Sequence, residues 1–164
     1  MNGVSSSIRA SIVGAVLLTA TAATAQVQVR YVAPEHFTDA ENRRGSGLTL
    51  RATLSEMTRI LEQLGQAHLR PGESLELTVL DIDLAGFERS AASSLQGLRI
   101  VNDVTPPRIR LAYALRRRGR IVSQGEESIS DINFLLNFNS RLSTGGLYYE
   151  RAVLKEWFAK RFPT

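Results

Sequence analysis

Alternating apolar and polar residues predict β-strands in several parts of this chain. Residues 27–31 form a first short strand, and residues 75–84 form a longer one. Residues 98–104 predict another short strand. Residues 107–129 predict an antiparallel hairpin that turns near Gly119 and leaves one polar face. Together these segments indicate a largely antiparallel sheet of about five strands.

Apolar residues spaced three and four apart predict two main helices. The first covers residues 48–68. The second covers residues 147–161, with Trp157 and Phe158 on its apolar side. A run of strands between two helices is typical of an α+β fold. We therefore predict a single α+β domain over residues 26–164, with both helices packed on one face of the sheet.

The apolar pattern changes phase once within the longest predicted strand. Leu77 and Val79 share one face, whereas Leu80 and Ile82 fall on the other face of a regular strand. A one-residue change of this kind predicts a β-bulge, or a strand end that leaves the sheet.

The first 25 residues have the layout of a secretory signal peptide. Arg9 precedes an apolar run over residues 10–23, and Ala23-Thr24-Ala25 matches a small-x-small cleavage site. We expect cleavage after residue 25, because the run is short and polar for a spanning helix, which needs roughly 20 apolar residues. The chain has no cysteine for a lipid anchor and no later apolar run long enough to span. A soluble exported protein is the expectation.

Composition removes several classes of chemistry. With no cysteine and two histidines, thiol chemistry and classical zinc sites are excluded. No Gly-x-Ser-x-Gly motif is present, and the histidines are not spaced as a metal pair. The net charge of +4 is mild. It favours an anionic envelope surface or an envelope protein over nucleic acid as a partner.

Asp81 and Asp83 are the metal candidates. Strand spacing places both carboxylates on one side of the chain, where hard oxygen ligands suit calcium or magnesium. The alternative is that both accept backbone N–H bonds in the following turn, with Gly86 reversing the chain.

An arginine set is the candidate site for an anion or a partner. Half of it shares the polar strand face of the hairpin, and the rest crowds the turn. The guanidinium fork matches phosphate and carboxylate groups, although a solvated face neutralised by Glu126 and Glu127 is the alternative. Arg110 lies opposite Glu127 or Glu126, depending on whether the turn holds two or three residues. The set comprises Arg108, Arg110, Arg116, Arg117, Arg118 and Arg120.

Short motifs recur in order along almost the whole of residues 26–164. They are Pro34-Glu35-His36-Phe37-Thr38-Asp39, Asp81-Ile82-Asp83-Leu84-Ala85-Gly86, Arg99-Ile100-Val101, Pro106-Pro107-Arg108-Ile109, Gly125-Glu126-Glu127, Ser130-Asp131-Ile132-Asn133, and Tyr149-Glu150 ahead of Trp157-Phe158. With these motifs the chain resembles a proteobacterial family of exported proteins known only as domain-of-unknown-function family 3016. The resemblance implies a periplasmic, single-domain protein and brings no activity or catalytic residues.

Two functional hypotheses lead. The first is a non-enzymatic periplasmic module that binds an envelope component or a partner protein, because no nucleophile and base are paired in the sequence. The second is a divalent-metal-binding protein or metal-dependent enzyme built on Asp81 and Asp83, with Asp131 or Glu126 brought near by folding. A structural protein without a small ligand is a third option.

Overall fold

The computed structural model describes residues 25–42, 48–88, 99–136 and 146–163. The predicted signal peptide lies outside the described residues, apart from Ala25. So do residues 43–47, 89–98 and 137–145. The helices in the described part of the chain include none that is both long enough and apolar enough to cross a membrane.

The described residues form a single α+β domain, as predicted. Its elements are β1 (Gln26–Tyr31), α1 (Leu50–His68), β2 (Glu73–Asp83), β3 (Phe87–Glu88), β4 (Arg99–Ile100), β5 (Arg108–Arg117), β6 (Arg120–Ser130) and α2 (Tyr148–Arg161), with 3-10 helices at Pro34–His36 and Phe134–Leu136. The main sheet has four strands in the order β1-β2-β5-β6, and β3 and β4 form a separate two-stranded sheet. β1 runs parallel to β2, whereas the β2–β5 and β5–β6 pairs are antiparallel.

The strand predicted over residues 98–104 is much shorter in the structure and does not join the main sheet. Of the described residues 99–104, Arg99 and Ile100 alone form a strand, with Glu88 and Phe87 as their partners. The main sheet therefore has four strands, where the alternation predicted about five.

The hydrophobic core lies between one face of the main sheet and the two helices. Leu77 of β2, Leu111 of β5, Met57 of α1 and Phe158 of α2 are all completely buried. Burial of side chains of this size stabilises the fold by about 1.5–3 kcal/mol each. α1 begins where the Thr49 hydroxyl accepts the Ala52 N–H at 3.2 Å, an N-cap that satisfies one otherwise unpaired donor.

The predicted bulge is confirmed and lies at Leu80. The β2–β5 register shifts between Val79 and Asp81, so Leu80 has no directly opposed partner. The extra residue returns Ile82 and Leu84 to the buried face. It also turns Asp81 away from the core.

The hairpin register differs from both predicted alternatives. The turn holds two residues, Arg118 and Gly119, but a second bulge at Val122 shifts the pairing by one residue. Arg110 therefore lies opposite Ser128, not opposite Glu127 or Glu126. The opposite-charge pair still forms, because Arg110 reaches Glu126 diagonally at 3.2 Å.

Candidate functional site

The chain reverses sharply where β2 ends, and four distant segments meet there. Gly86 has a φ of 79°, and its N–H donates to the Thr105 carbonyl at 3.0 Å. Asp39, Arg99 and Glu150 converge on this turn from three other segments. We call the turn at residues 84–86, together with these three residues, the corner.

Arg99 holds the corner together. Its two terminal nitrogens donate to both carboxylate oxygens of Asp39, at 2.9 and 2.7 Å. Nη1 also lies 3.4, 3.3 and 3.1 Å from the three carbonyl oxygens of residues 84–86. The side chain is only 15% exposed. A fork of this kind fixes the carboxylate and the turn in one geometry.

Glu150 closes the corner from α2. It is a buried carboxyl, and its Oε1 accepts the Ala85 N–H at 2.8 Å. Burial raises the pKa of Glu150, while the Ala85 N–H and the charge of Arg99 act in the opposite direction. Both the arginine and the carboxyl are thus bonded to backbone groups of the same turn.

Asp81 is bonded to the loop that follows β1. Its two oxygens accept the N–H and the hydroxyl of Thr38, at 2.8 and 2.7 Å. The prediction that Asp81 accepts backbone N–H groups of the following turn is wrong. The bulge directs its side chain toward Thr38, 43 residues earlier in the chain. The predicted reversal at Gly86 is confirmed.

Asp83 lies beside two other carboxylates. Its backbone forms an isolated parallel β-bridge with that of Asp39, and Arg108 lies opposite it on β5. Burial raises the pKa of Asp83, and the neighbouring charges of Asp39 and Asp81 raise it further. The repulsion is moderated by Arg108 and Arg99.

The other carboxylates of the metal hypothesis lie on different elements. Glu126 pairs with Arg110, while Asp131 accepts the Asn133 N–H at 2.8 Å near the end of α2. Within the described ranges, no group of three or more Asp, Glu or His side chains is arranged to hold a metal ion. Asp81 already uses both of its carboxylate oxygens.

Three members of the arginine set form ion pairs with neighbouring strands. Arg110 pairs with Glu126 at 3.2 Å, Arg116 with Glu76 at 3.3 Å, and Arg117 with Glu73 at 2.8 Å. Arg108 faces Asp83 across the β2–β5 pair. These four are balanced in part by carboxylates, as in the solvated-face alternative, but the predicted role of Glu127 is wrong: Glu126 takes part, whereas Glu127 pairs with Arg161.

Arg118 and Arg120 differ from the rest of the set. Both are exposed, and neither forms an ion pair with any residue that the structure describes. The next two side chains, Ile121 and Val122, are also exposed, at 47% and 49%. We call residues 118–122 the hairpin tip. It presents two cations beside two aliphatic side chains.

The pattern of residues along the chain does not reveal the corner. Asp39, Arg99 and Glu150 lie in three separate segments and follow no shared spacing. The one available signal was the set of short motifs, since all three residues fall within them. The motifs at residues 34–39 and 81–86 meet through the Thr38–Asp81 contacts.

These features define a single-domain α+β protein with a mostly antiparallel sheet, a buried charged corner and an exposed cationic hairpin. The chain belongs to the family described as "Protein of unknown function (DUF3016)", whose model matches residues 25–160. No curated protein and no solved structure was found to match it.

Proposed function

We propose that this protein is a non-enzymatic periplasmic module that attaches to an anionic surface of the cell envelope through the hairpin tip. The observation that carries the proposal is the exposed pair Arg118 and Arg120 beside exposed Ile121 and Val122. Cationic and aliphatic side chains together suit the boundary between lipid headgroups and acyl chains. Each arginine near an anionic membrane contributes about 1 kcal/mol.

The position of the tip supports this proposal. Arg118 and Gly119 form the turn itself, with φ values of 51° and 77°, so they project beyond the paired strands. Behind them, Arg116 and Arg117 are neutralised by Glu76 and Glu73. Next to the turn, the arginines without an ion-pair partner among the described residues are therefore Arg118 and Arg120.

The predicted signal peptide supports the location. Export of residues 26–164 delivers the domain to the compartment bounded by anionic envelope surfaces. The positions of the histidines support a non-enzymatic role. His36 is exposed next to Glu35, and His68 is bonded through Nδ1 to the Leu64 carbonyl at 2.9 Å. Neither is placed as a general base for a nucleophile.

Vesicle binding tests the proposal. The purified domain should sediment with vesicles containing phosphatidylglycerol, should not sediment with phosphatidylcholine alone, and should be released by salt. Arg118→Glu with Arg120→Glu should reduce binding by more than about tenfold. Arg30→Glu with Arg51→Glu makes the same charge change at other exposed positions and should retain most of the binding.

Two results contradict the proposal. One is an absence of binding by the parent protein at low salt. The other is equal loss of binding in the two charge-reversed variants, since that would reflect net charge instead of the tip.

A divalent-metal function is the second candidate, and one observation favours it. Asp39 is bridged to Asp83, and a bound cation would relieve the repulsion that Asp39 and Asp81 exert on the Asp83 carboxylate. Calcium or magnesium should then raise the melting temperature, and Asp81→Asn with Asp83→Asn should abolish the rise. An unchanged melting temperature in the parent protein removes this candidate.

A further inference from the structure

The outer edge of β6 carries a second surface that the arginine set does not include. β6 is the last strand of the main sheet, and no described strand lies beyond it. Along its 11 residues, alternate N–H and C=O groups point away from β5. Such an edge is a template on which another extended chain can pair.

A groove runs between this edge and α2. It has a volume of about 250 Å³ and is lined on the strand side by the consecutive residues 127–131. On the helix side it is lined by one stripe of α2, namely Val153, Glu156, Trp157 and Lys160. Five consecutive strand residues extend over about 17 Å, the length of a short β-strand. The strand side of the groove is therefore long enough to pair with a short strand.

The groove has an apolar floor and a charged rim. Ile129, Val153 and Trp157 form the floor, and each is less than a tenth exposed. Just beyond Asp131, Ile132 is 75% exposed. An apolar side chain of an added strand would contact this floor.

The charge of the rim selects the occupant. Glu127 is neutralised by Arg161 and accepts the Trp157 Nε1–H at 2.8 Å. Glu156 pairs with Lys160 at 2.6 Å, which leaves Asp131 as the lining carboxylate without an ion-pair partner among the described residues. The rim thus keeps a net negative charge, which complements a basic strand.

We propose that the groove between β6 and α2 binds an extended peptide segment of a partner protein, with alternating apolar and basic residues, by β-strand addition. The backbone pairs with the free edge of β6, the apolar side chains contact Ile129, Val153 and Trp157, and the basic side chains meet Asp131 and Glu156. This surface is distinct from the hairpin tip, so it goes beyond the membrane attachment proposed above.

Trp157 is the only tryptophan in the chain, so its fluorescence reports on the groove. The probes are two synthetic peptides of about ten residues, one alternating Val and Lys and the other alternating Val and Glu. The Lys peptide should change the Trp157 emission saturably and slow amide hydrogen exchange in residues 127–131. The Glu peptide should do neither.

Asp131→Asn with Glu156→Gln removes both of these carboxylate charges, so that Lys160 makes the rim net positive, and it keeps an acceptor for the Asn133 N–H. It should weaken binding of the Lys peptide by about tenfold. The matched control, Glu35→Gln with Asp103→Asn, neutralises two exposed carboxylates outside the groove and should leave binding unchanged.

Three results overturn the proposal. They are no saturable change with the Lys peptide, protection from exchange located outside residues 127–131, and a stable dimer in which a second copy already occupies the β6 edge. Vesicle binding is measured separately, so failure of the tip and failure of the groove can be distinguished.

Discussion

Arginines at opposite ends of β2 have opposite surroundings. At the end of β2 that contains Asp83, Arg99 is 15% exposed and its terminal nitrogens donate to Asp39 and three carbonyls. At the other end, Arg118 and Arg120 are exposed and form no ion pair with a described residue. The same side chain thus stabilises the fold at the corner and remains available for a partner at the hairpin tip.

Two glycines extend the comparison. Gly86 at the corner and Gly119 at the tip have almost the same φ, 79° and 77°. A Cβ at Gly86 would overlap the backbone carbonyl of Ile100, whereas a Cβ at Gly119 would meet nothing within 4 Å. The difference shows that the corner is constrained by packing and the tip only by its turn conformation.

Loss of Arg99 should have the largest effect. Arg99→Ala removes the guanidinium that pairs with Asp39 and leaves this carboxylate beside Asp83. The free energy of unfolding should therefore fall by about 4 kcal/mol. Arg59→Ala removes an exposed arginine that pairs with Glu56 and should leave the unfolding free energy almost unchanged. Urea unfolding measures both. Similar losses in the two variants would contradict the structural role of the corner.

The glycine pair should give the next largest effect. Gly86→Ala should destabilise the protein by about 3 kcal/mol, from the combined cost of overlap and backbone strain. Gly119→Ala should cost about 1 kcal/mol from its positive φ alone. Thermal and urea unfolding give the comparison, and equal costs would show that packing at Gly86 is not limiting.

Glu150 should make stability depend on pH at the corner. Its raised pKa means that the folded state holds the proton more tightly than the unfolded state. The stabilisation that protonated Glu150 gives to the folded state is therefore complete below the ordinary glutamate pKa of 4.5. It is lost as pH rises through the raised pKa of the folded state. Glu150→Gln keeps an acceptor for Ala85 and should remove this dependence.

The measurement for Glu150 is the difference in unfolding free energy between the two proteins from mildly acidic to neutral pH. Each unit by which the pKa is raised corresponds to about 1.4 kcal/mol in favour of the glutamine variant at the higher pH. A difference that stays constant with pH would contradict the prediction.

Changes at the tip should have the smallest effect on stability. Arg118→Glu with Arg120→Glu should change the unfolding free energy by less than about 0.5 kcal/mol, because neither side chain has an ion-pair partner in the described structure. The same variant should lose vesicle binding. A large loss of stability would contradict this prediction, because it would show that the tip supports the fold as the corner does.

Much of the fold followed from the periodicity of apolar residues. The helix predicted over residues 48–68 begins at Leu50 and ends at His68, and the phase change in β2 became the bulge at Leu80. Patterns of period two and period 3.6 report burial directly, so elements with one buried face were found. The second bulge at Val122 was missed because Ile121 and Val122 are exposed and leave no phase change.

Candidate sites formed by neighbouring residues were visible in the sequence, and sites formed by distant residues were not. Local crowding of arginine showed the hairpin tip in the sequence, since residues 116–120 are neighbours in the chain. The spacing of Asp81 and Asp83 singled them out, but their partners come from Thr38 and Asp39, more than forty residues earlier. The groove beside β6 had no sequence signal, because its walls are separated in the chain.

The sequence by itself determined the α+β class, both helices, the bulged strand and the cationic turn, because each depends on neighbouring residues. The tertiary structure alone decided which charged side chains form ion pairs within the fold and which are exposed to a partner. Arg99 is held by Asp39 from 60 residues away, whereas Arg118 and Arg120 project beyond the sheet. The reason is that pairing and burial depend on distances through space, which the order of residues does not specify.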